Sequence, residues 1–95
     1  MVASVKRAIA MTAALNHLTY DDATGIRTLF SELIGAPLDD GFSLIPPFYT
    51  TGGDNLRIGR NVFINQNCTI YDLGGIDIGD EVMIGPNVSL ITSSH

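Results

Sequence analysis

Apolar residues return along the second half of the chain with a fixed step. Between Leu56 and Leu90 an aliphatic side chain recurs every six positions, at Ile58, Ile64 and Ile70, then at Ile78, Ile84 and Leu90. Four residues after each of these stands a small or β-branched residue: Val62, Cys68, Gly74, Val82, Val88 and Ser94. The stretch is also a longer repeat, because residues 56–70 lie over residues 76–90. Ile58 matches Ile78, Gly59 matches Gly79, Val62 matches Val82, Ile64 matches Ile84 and Asn67 matches Asn87.

A step of six suits neither an amphipathic helix nor simple strand alternation. It suits a short strand, a corner and another short strand. Residues two apart on a strand share a face, so Val62 pairs with Ile64, Cys68 with Ile70 and Val82 with Ile84. Gly, Asn and Asp between them supply corners. Three such sides make a triangular coil, and successive coils stack at about 4.8 Å. The pattern predicts a mainly β chain, a hexapeptide-repeat parallel β-helix of about two coils. Ile78 then sits on Ile58, Ile84 on Ile64 and Leu90 on Ile70. The two-residue excess between Ile70 and Ile78 becomes a bulge at the corner of residues 71–75. The alternative is a set of hairpin strands in an ordinary sandwich.

The first part of the chain carries a different period. Val5, Ala8, Ile9, Thr12 and Leu15 form one stripe, which predicts a helix over about 3–16. Thr19-Tyr20-Asp21-Asp22 has the form of a helix start. Ile26, Leu29, Phe30, Leu33 and Ile34 then share a face, and Gly35 with Pro37 ends the second helix. His17 falls between the helices as a turn or capping residue. Residues 44–49 are extended around Pro46-Pro47, and residues 50–55 are a loop. The expected organisation is a helical cap over 1–37, a connecting extended segment and loop over 38–55, and a truncated β-helix over 56–95. Together these make one domain, because the end of a repeat stack needs a cap.

Composition narrows the partners. Five Lys and Arg stand against ten Asp and Glu in 95 residues, so no basic cluster exists to displace counterions from a nucleic acid. No membrane partner is expected, since no apolar run is long enough to span a bilayer. The Lys6-Arg7 start with its Ala-rich continuation faintly resembles a signal peptide, but it runs on into a helical pattern, so the expected location is the cytoplasm. The single cysteine, Cys68, falls on an inward position matched by Val88 and reads as a small buried apolar residue.

Several segments carry a family resemblance. They are Pro46-Pro47-Phe48-Tyr49, Gly53-Asp54-Asn55-Leu56-Arg57-Ile58-Gly59-Arg60-Asn61, and Asn65-Gln66-Asn67-Cys68-Thr69-Ile70-Tyr71-Asp72. Ile78-Gly79-Asp80, Ile84-Gly85-Pro86-Asn87-Val88 and Ile91-Thr92-Ser93-Ser94-His95 complete the set. They resemble the maltose and galactoside O-acetyltransferase branch of the hexapeptide-repeat acyltransferases, in its N-terminal portion. The resemblance covers nearly all of the chain after about Leu15.

That resemblance implies a homotrimer of left-handed β-helices that moves an acetyl group from acetyl-CoA to a sugar hydroxyl. It implies that His95 is the general base and that Asn65 lies close to it, near the reacting hydroxyl. It implies that Thr51 and the Asp72-Leu73 corner shape the acceptor pocket. The family usually has Gly before the histidine and Pro after it, whereas here Ser94 precedes and the sequence stops. An acidic acceptor-binding residue from a longer helical start is not recognisable. The family's CoA-binding coils follow the histidine, so the 95 residues look like the front half of an enzyme, with weak or no activity alone.

The chemistry suits one histidine. A base that titrates near neutrality takes the proton of a sugar hydroxyl as it attacks a thioester. No Ser or Cys sits beside a base in a nucleophile motif, so direct transfer is expected, with a backbone N–H or Asn65 on the oxyanion. The plainer readings are a chain-end residue for His95, a corner residue for Asn65 and turn chemistry for Asp72. The alternative function is a non-catalytic β-helix serving as a structural or interaction module. A zinc site of the kind in trimeric β-helix carbonic anhydrases needs more histidines than the two present, so no metal is expected.

Overall fold

The computed structural model describes residues 3–93. Two helices, α1 (Ala3–Asn16) and α2 (Ala23–Ile34), precede eight short strands. These are β1 (Ser43–Leu44), β2 (Phe48–Thr50), β3 (Leu56–Ile58), β4 (Phe63–Ile64), β5 (Cys68–Asp72), β6 (Ile76–Ile78), β7 (Met83–Ile84) and β8 (Ser89–Thr92). All pairings are parallel. They build three sheets, in the orders β1-β4-β7, β2-β5-β8 and β3-β6. The chain therefore visits the three sheets in rotation and returns to each with the same offset: Ser43 pairs with Phe63, Cys68 with Phe48 and Leu56 with Ile76.

The six-residue step places the core as expected. Ile64 registers with Ile84, Ile58 with Ile78 and Ile70 with Leu90. Ile64, Ile70, Val62 and Cys68 are fully buried. The corners carry the backbone cost of turning so sharply. Asn61, Asn67, Glu81 and Asn87 all have positive φ, and three of the four are asparagine, the side chain that best tolerates this region after glycine. Asn67 Nδ2 donates to Asn87 Oδ1 at 2.6 Å, so equivalent corners bond to each other.

The segment 38–55 differs from its expected role as a connection. Its extended character is real, but β1 and β2 are the first strands of two sheets, and Leu44 lies under Ile64. Phe48 stands in register with Cys68, at a small position, and Thr50 with Ile70, so a threonine takes the aliphatic place and masks the six-residue step in the sequence.

The helices close the layer that β1 and β2 begin. Asn16, at the end of α1, receives the N–H of Phe48 at 2.8 Å on Oδ1 and donates from Nδ2 to the Phe48 carbonyl at 3.0 Å. This side chain satisfies the free edge of β2 as a neighbouring strand would. Phe30 of α2 stacks on Phe42 at 4.9 Å and meets Phe48 edge-on at 5.2 Å. The Arg7 guanidinium donates to the Leu33 and Glu32 carbonyls, which the end of α2 leaves open. Two details differ from the sequence reading. The N-cap of α2 is Asp22, which accepts from the Gly25 N–H, while Thr19 makes only the preceding turn. On α1 the buried stripe is Ala8, Thr12 and Leu15, and Ile9 is half exposed.

Candidate functional site

The sequence nominated Thr51, Asn65, Asp72 and His95. His95 and Ser94 lie outside the described residues. The other three fall on two different corners. Thr51 follows β2 and Asp72 ends β5, so both stand where the chain leaves the β2-β5-β8 sheet, the middle one in chain order. Asn65 follows β4, where the chain turns to enter that sheet. The length of a β5-like strand separates the two corners, roughly 13 Å for five residues at ~3.3 Å per step. The fold brings Thr51 and Asp72 together and holds Asn65 of the same chain away from them. Residues 89–92 of β8 run beside β5, so Ser93 leaves the sheet on the Thr51 side.

Asp72 is 1% exposed, unusual for a carboxylate. Its Oδ1 accepts the Gly53 N–H at 3.0 Å and its Oδ2 accepts the Asn55 N–H at 2.8 Å. Burial is tolerated because both oxygens are bonded. The resemblance implies an acceptor-pocket role for this residue and its plainer reading is turn chemistry; both of its oxygens face the loop of residues 51–55. Gly52 allows a close approach there, since a Cβ would stand 3.0 Å from Asp72 Oδ1 and the carboxylate would have to shift. Gly53 has φ +87, and its Cβ would stand 2.7 Å from Leu33 Cγ.

Thr51 Oγ1 is buried and has no hydrogen-bond partner, the one such side-chain atom among the described residues. It borders a cleft of ≈ 390 Å³ between α1 and the outer face of the middle sheet. Tyr49, Tyr71 and Ile9 also line this cleft, and all three are partly exposed. The tyrosines were not singled out from sequence. Their signal was present, because Tyr49 and Tyr71 alternate with inward Phe48, Thr50, Ile70 and Asp72 and so had to face outward.

Asn65 is a half-buried corner residue whose Oδ1 accepts the N–H of Gln66 at 2.8 Å. Cys68 is buried, with its Sγ 3.1 Å from the Gly85 carbonyl oxygen, a packing role. His17 is exposed between the helices. On the third sheet Arg57 pairs with Asp77 and Arg60 with Asp80, both on the surface. The Arg60 backbone N–H donates to Asp80 at 2.7 Å and is the main cause holding this carboxyl below the ordinary range; desolvation opposes it, and the Arg60 charge adds a smaller pull. No group of three His, Cys, Asp or Glu that could hold a metal occurs among the described residues. No helix there is long and apolar enough to cross a membrane.

No protein-family model matches the chain. Individual proteins do. The nodulation protein L of Rhizobium leguminosarum bv. viciae is 41% identical over 75 residues, which are 79% of this chain and 39% of that protein. The galactoside O-acetyltransferase of Escherichia coli K12 is 36% identical over 80 residues, 84% of this chain and 39% of the enzyme. The galactoside O-acetyltransferase of Lactococcus lactis is 35% identical over 71 residues, 74% of this chain and 32% of the enzyme. The parallel three-sheet winding and these matches agree on a hexapeptide-repeat acetyltransferase. The chain belongs to the maltose and galactoside O-acetyltransferase family, and it spans about two fifths or less of the length of these relatives.

Proposed function

We propose that the protein containing this chain transfers an acetyl group from acetyl-CoA to a hydroxyl of a sugar. In this reading the stack is a left-handed β-helix, and three copies assemble as a homotrimer in the cytoplasm. The observation that carries the reading is the cleft beside Thr51. It combines one buried hydroxyl lacking a partner with two exposed tyrosine rings, the mix of hydrogen bonding and flat apolar surface that a sugar ring requires. Two relatives are galactoside O-acetyltransferases, which points to the same acceptor class.

The chemistry assigned to this chain is direct. The acceptor oxygen attacks the thioester carbonyl carbon as His95 takes its proton. The tetrahedral oxyanion collapses, the carbon–sulfur bond breaks and the thiolate leaves, to be protonated as free CoA. The products are an acetyl ester and the thiol, with no enzyme-bound acetyl group. Thr51 bonds an acceptor hydroxyl. In this reading an Asn65 amide donor on the oxyanion comes from a neighbouring copy, since Asn65 and Thr51 of one chain stand at different corners. Trimer formation therefore completes the site in this reading.

The test is acetyl transfer by the longest natural protein that contains these residues, offered galactosides, glucosides and maltose with acetyl-CoA. Acetylated sugar and CoA should appear in equal amounts. His95→Ala should lower kcat by about 10²–10⁴, the range of a positioned general base. Absence of ester product with every sugar, or full activity in His95→Ala, would overturn the assignment.

A further inference from the structure

The loop of residues 51–55 has little secondary structure of its own to hold it. It leaves β2, an edge strand, and reaches β3 without a sheet partner along the way. Its donors are met instead by side chains. The Gly52 N–H bonds Thr50 Oγ1 at 3.2 Å, the Gly53 N–H bonds Asp72 Oδ1 at 3.0 Å and the Asn55 N–H bonds Asp72 Oδ2 at 2.8 Å. Asn55 is tied further, because its Nδ2 donates to the Leu73 carbonyl and its own carbonyl accepts the Ile76 N–H. The loop thus passes between Leu33 of α2 on one side and the Asp72 carboxylate on the other. Thr51, which lines the cleft and whose buried hydroxyl is unmet, is carried by this loop.

From this geometry we propose that Asp72 is a positioning residue: its buried carboxylate clamps the Gly53 and Asn55 N–H groups, and the clamp aims Thr51 Oγ1 at the acceptor sugar. Asp72 itself does not touch the acceptor. It is absent from the lining of the cleft, it is 1% exposed, and each of its oxygens already accepts a loop N–H. An uncharged side chain does not replace it. A carboxylate offers acceptors to both donors, whereas an amide turns an NH₂ toward one of them whichever way it is flipped. The clamp also links acceptor recognition to the fold, since Asp72 is the last residue of β5 and pairs with Thr92 of β8.

This inference rests on the acetyltransferase reading above, and the experiment separates the two. Asp72→Asn, Thr51→Val, their double variant and Thr51→Ser are measured for sugar KM, acetyl-CoA KM and kcat. Asp72→Asn and Thr51→Val should each raise the sugar KM by about tenfold, the loss of one hydrogen bond. Acetyl-CoA KM should stay within about twofold, and Thr51→Ser, which keeps the hydroxyl, should stay near wild type. Because Asp72 acts through Thr51, the double variant should be no worse than about twofold beyond the poorer single. Multiplying effects, or a change confined to acetyl-CoA KM, would overturn the clamp while leaving the acetyltransferase reading intact.

Amide hydrogen exchange gives a readout independent of turnover. In Asp72→Asn the Gly53 and Asn55 amides should lose protection while Thr69 and Ile70 keep theirs, and unchanged exchange at Gly53 and Asn55 overturns the proposal. If wild type acetylates no sugar, the acetyltransferase reading falls and the exchange result alone decides the clamp. If Asp72→Asn does not fold, Gly53→Ala serves instead. It crowds Leu33 at a strained φ, displaces the loop without touching Asp72 and should raise the sugar KM alone; an unchanged sugar KM counts against the clamp.

Discussion

The two corners of the middle sheet solve the same problem by different means. Where the chain enters the sheet, the corner is regular. Asn67 and Asn87 adopt nearly the same positive φ, bond to each other and send their N–H groups to the Pro47 and Gln66 carbonyls of the layer before. Each layer is satisfied by the corner of its neighbour. Where the chain leaves the sheet, the corner carries the two extra residues that break the six-residue step. There the backbone donors of one layer are satisfied by a single buried carboxylate from the next. A repeat can satisfy itself only where it repeats. At the irregular corner a specific side chain must do so, and that corner borders the cleft and the unpaired Thr51 hydroxyl.

The largest expected effect erases the contrast by removing the core both corners share. Ile64→Asp puts a charge between Leu44 and Ile84 at a fully buried position. It should cost more than about 4 kcal/mol and abolish cooperative unfolding. A melting curve like that of wild type would contradict the inward ladder. The same substitution at Ile84, one layer further on, should be milder than at Ile64 yet more damaging than Asp80→Ala on the surface.

Next comes the irregular corner. Asp72→Ala leaves the Gly53 and Asn55 donors without their acceptor, and should cost about 2–4 kcal/mol from two unmet bonds. Urea denaturation measures this, and a loss below the error of the method would mean the loop finds other acceptors.

The regular corner should respond less and should prefer glycine to alanine. Asn67→Ala places an ordinary side chain at φ 62 and removes the bond to Asn87, for about 1–2 kcal/mol. Asn67→Gly accepts the φ and should cost less than Asn67→Ala. The reverse order in paired melts would show that the side-chain ladder, not the backbone, decides this corner.

The smallest effect is on the third sheet. The Asp80 carboxyl is pulled below its ordinary value by the Arg60 N–H and charge. A depressed carboxylate contributes stability that is present above its unfolded value and lost as pH falls through the lower folded one. Asp80→Asn should therefore melt slightly earlier than wild type at neutral pH, and the gap should close in acid. The site is on the surface, so added salt should shrink the gap as well. A gap that widens on acidification would reverse the assigned sign.

The sequence alone determined the ladder. Ile58, Ile64, Ile70, Ile78, Ile84 and Leu90 recur because each faces the same interior from the same side, and their register follows from that spacing. It also determined the second helix, where a 3.6-residue stripe and Gly35 leave one solution. What it could not show was the first layer, since Thr50 takes the aliphatic place of Ile70, and Phe48, packed against Phe30 of α2, takes the small place of Cys68. Nor could it sort the nominated site residues between corners. Thr51 and Asp72 stand 21 positions apart and Asn65 lies between them in sequence, yet strand direction unites the first two and excludes the third. The role of Asp72 was likewise decided only in three dimensions. An aspartate in a turn reads as turn chemistry or as a ligand for a substrate. Only the folded path of residues 51–55 brings two backbone donors to its oxygens, and a buried charge acts on whatever donors the tertiary structure delivers to it.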